Sequence, residues 1–82
     1  MSTNSLVDEP VEDFASRLET VTDDELFGTM NELEKASNAA EEGEAAEEIF
    51  SRIALAESEI ERRYPGRLLA PYREWKQRQP LL

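Results

Sequence analysis

The chain has no cysteine, no histidine, and only three glycines and four prolines among its 82 residues. Without cysteine no disulfide can brace so small a fold, an absence that suits a reducing compartment. Zinc sites built on Cys or His are excluded. So are the common hydrolases of the Ser or Cys kind, because there is no Cys nucleophile and no imidazole to take a Ser proton. Gly28, Gly43 and Gly66 lie too far apart to form a phosphate-cradling loop. No apolar run approaches the ~20 residues of a membrane span, and the N-terminus has neither the basic stretch nor the apolar segment of a signal peptide. These absences predict a cytoplasmic protein with no membrane partner, no cofactor, no metal and no catalytic site.

Apolar material is also scarce. Leu, Ile, Val and Phe number 18 of 82, just above the level at which high net charge goes with disorder. A chain of this length buries only ~60% of the surface its unfolded form exposes, so the core is marginal and pairing of two copies is an expected source of further burial.

Charge is abundant and unevenly divided. Residues 1–61 carry eighteen acids against Arg17, Lys35 and Arg52, a balance of −15. Residues 62–82 carry six bases against Glu74, a balance of +5. An acidic body is thus followed by a basic tail that also holds Tyr64, Tyr72 and Trp75.

The periodicity of the apolar residues is helical throughout. Residues 1–7 show none and are expected to be disordered. Pro10 suits a first helical turn, and Val11, Phe14, Leu18 and Val21 follow at spacings of three and four, predicting a short helix over about 10–19. Thr22-Asp23-Asp24-Glu25 is a capping box, in which the Thr22 hydroxyl accepts from the Glu25 amide and the Glu25 side chain reaches back. It starts a helix over about 23–40 whose seam is Leu26, Met30, Leu33, Ser37 and Ala40, widened by Phe27. A second seam, Ala46, Ile49, Ile53, Ala56, Ile60 and then Arg63 or Tyr64, with Phe50 beside it, marks a helix over about 44–63. Continued past Ala40, the first seam would fall on Glu44 and Glu47, so the register slips at Gly43. That slip predicts a turn and an antiparallel helical hairpin; the alternative is one long helix kinked at Gly43. Tyr64-Pro65-Gly66 ends the second helix, and Pro71 opens a last one over about 71–78.

The fold class expected is therefore all-α: one small helical domain over residues 8–82, an antiparallel hairpin with a short helix on each side. Two copies are expected to pair as a dimeric four-helix bundle sharing Leu26, Met30, Leu33, Ile49, Phe50, Ile53 and Ile60 as a common core.

Carboxylates are the one catalytic material in surplus. Glu44, Glu47 and Glu48 share a helical face in the Glu-x-x-Glu pattern that all-helical nucleotide pyrophosphatases use to hold magnesium, but no second set of acids matches them. An acidic helix start that complements the backbone dipole is the favoured reading. Arg62 and Arg63 have the converse explanation at a helix C-terminus.

Three functions follow. The leading one is a protein-binding regulator or adaptor whose contacts come from Glu41, Glu42, Glu44 and Glu48 on the body and from Arg67, Tyr72, Arg73, Trp75 and Lys76 in the tail. The second is an inhibitor whose acids imitate nucleic-acid phosphates and occupy the basic groove of a nuclease or DNA-binding protein. The third is single-strand binding by the basic aromatic tail. The surrounding charge of −15 opposes that last reading and favours a tail folded back onto the hairpin, with Tyr72 and Trp75 in the core. Arg63-Tyr64-Pro65 and Arg73-Glu74-Trp75 resemble the Tyr-Tyr-Pro and Lys-Glu-Trp-like stretches of the small acidic four-helix immunity proteins of nuclease bacteriocins. The paired Tyr and the acid before it are absent here, the resemblance stops at those two stretches, and the family is not assigned.

Overall fold

Four helices are present in the computed structural model, which describes residues 10–40 and 43–78. They are α1 (Val11–Thr20), α2 (Asp23–Ala39), α3 (Glu44–Arg63) and α4 (Ala70–Arg78), with no strand among the described residues. The expected disordered start, residues 1–7, lies outside them, as do Glu41 and Glu42.

Local chemistry sets each boundary. The first bond of α1 runs from the Phe14 amide to the Pro10 carbonyl, and the helix stops where Val21 turns extended. The capping box is complete: the Glu25 amide donates to Thr22 Oγ1, and the Thr22 amide donates to Glu25 Oε1, each at 3.1 Å. Helix α2 ends at Ala39 because Ala40 is extended, with φ −80° and ψ 141°. Gly43 then takes φ +141°, a conformation that side chains rarely adopt, and its carbonyl accepts the first bond of α3 from Glu47. A Cβ at Gly43 would meet nothing within 4 Å, so backbone geometry, not space, calls for glycine there. The hairpin is therefore two separate helices and not one kinked rod.

Helices α2 and α3 run antiparallel and make the most extensive contact, α1 lies against α3, and α4 lies against α2. Phe14 and Leu18 of α1, Leu26, Phe27, Met30 and Leu33 of α2, Ile49, Ala56 and Ile60 of α3, and Tyr72 of α4 form one buried cluster. Each large aliphatic or aromatic side chain buried there contributes about 1.5–3 kcal/mol.

Two features of this core differ from the sequence-based expectation. Leu26, Met30, Leu33, Ile49 and Ile60 are buried by helices of their own chain, and Ile53 is partly buried, so the seams are covered without a second copy. Phe50, expected in the shared core, is 55% exposed on the outer side of α3. The reason is that α1 covers a second face of α3. That face carries Arg52 and Glu59, which are buried at 2% and 6% exposure, and it turns Phe50 toward solvent.

Candidate functional site

The polar residues divide into a clamp that holds the fold and an outer surface that is open. The clamp centres on Arg63, at the last position of α3. Its Nη1 donates to Asp23 Oδ1 at 2.8 Å and its Nε to Glu59 Oε2 at 2.6 Å. Its Nη2 donates to the carbonyls of Leu18 and Val21, at 2.9 and 2.8 Å, in the α1–α2 connection. One planar guanidinium therefore ties three helices together. Arg62 adds a second ion pair to Glu59, and the Tyr64 hydroxyl donates to Asp23. The Asp23 carboxyl is held below its ordinary range, first by Tyr64 and then by Arg63. Glu59 is also lowered, first by Arg62 and then by Arg63, although burial works the other way.

The aromatic residues of the tail face inward. Tyr72 is 2% exposed, and its hydroxyl donates to Glu34 Oε1 at 2.8 Å. Burial, and then that bond, push its pKa upward. Trp75 Nε1 donates to Asp24 Oδ1 at 2.8 Å, and its ring lies 6.0 Å from Phe27, which also meets Tyr72 and Tyr64. Lys76 sits 3.4 Å from Glu34 and over the Tyr72 ring. Tyr72 is thus a core residue and not a contact offered to a partner. Trp75 and Lys76 bond across from α4 to α2, and Lys76 is still exposed.

Glu48 is exposed, beside the buried Arg52 at 3.9 Å. The Glu44 side chain, like Glu41 and Glu42, lies outside what is described. Arg67 is exposed and reaches Glu74 at 3.9 Å. Arg73 is exposed on one wall of a groove. Among the described residues no group of three or more acids is arranged to hold a metal ion, and no helix is long and apolar enough to cross a membrane.

That groove was not foreseen from the sequence. It has a volume of about 670 Å³ and runs between the outer face of α3 and the start of α4, lined by Ala54, Glu57, Ser58, Glu61, Leu68, Leu69 and Arg73. Leu68 is 73% exposed at its edge. The connection before α4 is shaped by Gly66 at φ +79° and by Leu68 at φ +55°, and the Gly66 amide donates to Glu61 Oε2. Exposed Phe50 falls four residues before Ala54, on the same face of α3. The signal available in the sequence was the stripe of Phe50, Ala54, Glu57 and Glu61; nothing local showed that α1 and α2 would bury the other faces and leave this one open. A comparison with protein-family models gives no match, and neither do comparisons with curated proteins and with solved structures.

Proposed function

We propose that this chain is a non-catalytic regulator or adaptor that acts by binding another protein. The observation that carries the reading is which surface the fold leaves open. The aromatic residues and several cations of the tail are engaged by Asp23, Asp24, Glu34 and Glu59, while the groove on α3 remains open with Leu68 at its edge, and the exposed Phe50 lies one turn before Ala54 on the same helix face. Exposed apolar side chains grouped around a concavity are the usual mark of a protein contact.

A second reading, inhibition of a nucleic-acid enzyme by a phosphate-like surface, is supported by the exposed acids Glu12, Asp13, Glu19, Glu47 and Glu57. Salt separates the two. Proteins captured by the full chain from its native host are purified singly and titrated against it. Phosphate mimicry predicts an affinity that collapses between low and physiological salt, whereas apolar groove contacts preserve a salt-resistant share. The protein-binding reading fails if no purified candidate binds saturably.

Binding of nucleic acid by the tail would require α4 to leave α2, because Tyr72 is buried and Trp75 packs on Phe27. Pairing of two hairpins through their seams would likewise require α1 and α4 to leave. Any dimer of the intact fold would have to use an outer face instead.

A further inference from the structure

Leu68 takes a left-handed backbone conformation, φ +55°, alone among the described residues other than glycine. That conformation carries a steric cost which Gly or Asn would largely avoid. The core does not offset it, because the side chain is 73% exposed. Strain of this kind, held at an exposed position beside a concavity, is characteristic of binding sites.

The surface around Leu68 has a definite chemistry. Leu69 and Ala54 give the groove apolar area, and Glu57 and Glu61 give it two carboxylates against the one cation of Arg73. Helical spacing extends the same face of α3 backward to the exposed Phe50 and Glu47. From Phe50 to Glu61 this face is about 16 Å long at 1.5 Å per residue, roughly three helical turns. An apolar strip flanked by acids, on a chain of net charge −10, is complementary to a helix with apolar residues on one side and Lys or Arg on the other. A second copy of this chain is a poor occupant, since its acidic body would meet Glu47, Glu57 and Glu61 with like charge and its basic tail is packed against its own α2.

We infer that the groove between α3 and α4 docks a basic amphipathic helix of a partner protein, with Leu68 and Phe50 as apolar contacts and Glu47 and Glu57 meeting its cations. This rests on the protein-binding reading above and names the partner's chemistry.

The test uses the full chain, isotopically labelled for NMR, and three synthetic 14-residue probe peptides, each about four helical turns at most. One places Leu at helical spacing among Lys; the second has the same composition in scrambled order; the third carries Glu in place of Lys. The expected result is saturable binding of the first alone, with shifts confined to residues 47–61 and 67–73. Leu68→Asn should weaken that binding at least roughly ten-fold while leaving the thermal midpoint unchanged or higher, because Asn tolerates the left-handed backbone. Phe50→Ser should weaken it as well. The assignment is overturned if the scrambled or acidic peptide binds equally, if the shifts centre on α1 or α2, or if both variants keep full affinity. A dimer in sedimentation, with concentration-dependent shifts that map to residues 47–61 and 67–73, would overturn it too. Those results leave protein binding at another face standing; that reading falls only by the host-protein titrations described above.

Discussion

Arg63 and Asp23, forty residues apart in the chain, meet at 2.8 Å where the end of α3 passes the start of α2. The contact fixes the hairpin's register at its open end, opposite the Gly43 turn. Because the same guanidinium also bonds Glu59 and two carbonyls between α1 and α2, its removal should be felt by three helices at once.

Arg63→Ala is expected to cost about 2–4 kcal/mol, since it takes one of two cations from the buried Glu59, unpairs Asp23 and leaves two carbonyls without their donor. That is a large share of the ~5 kcal/mol typical of so small a fold. Urea unfolding followed by circular dichroism measures it. Arg63→Lys should recover less than half, because an ammonium cannot reach all four acceptors together; full recovery by Lys would show that charge alone suffices.

The clamp also predicts an acid limit. Asp23 and Glu59 titrate below their ordinary values in the fold, so their stabilising contribution is complete above the unfolded values of about 4 and is lost as pH falls through the lowered folded ones. Urea midpoints should hold steady from about pH 6 to 5 and then decline below about pH 4. Asp23→Asn should make that decline shallower. An unchanged slope would remove Asp23 from the account.

At the alkaline end Tyr72 behaves in the opposite sense. Its folded pKa is raised by burial and by Glu34, so the folded chain keeps a proton that the unfolded chain gives up near pH 10, and stability falls as pH rises beyond about that point. Phenolate absorbance should show Tyr72 ionising only as the chain unfolds, a phase that Tyr72→Phe would delete.

Phe27 joins α2 to the aromatic residues that follow α3. It stacks with Tyr64 and lies 6.0 Å from both Tyr72 and Trp75. Phe27→Ala should cost about 3–5 kcal/mol and release α4, seen as a red shift and loss of intensity order in Trp75 fluorescence. Phe27→Leu, which keeps most of the volume, should cost much less and leave Trp75 in place.

Thr22→Ala removes a cap and nothing else, and should cost about 1 kcal/mol. Differential scanning calorimetry at neutral pH suffices to see a fall of several degrees in a domain this small.

The sequence by itself determined the helical class, the capped start of α2, the break at Gly43, the stop at Tyr64-Pro65-Gly66 and the short helix opened by Pro71. Each depends on residues within about a turn of one another: a hydroxyl and a carboxylate three positions apart, a glycine in a slipped register, a proline's fixed φ. The tertiary structure alone decided which faces those helices would bury. Arg63 read as a cation at a helix end and proved to be the bond between α1, α2 and α3. Arg52 and Glu59 stand on neither apolar seam and yet lie inside; Phe50 read as core and lies outside, and the left-handed backbone of Leu68 had no local sign. The reason is that α3 has more than one face capable of burial. Periodicity states that a face is apolar or polar, while the choice among faces is made by Phe14 and Leu18 arriving from α1 and Tyr72 from α4, partners tens of residues away along the chain.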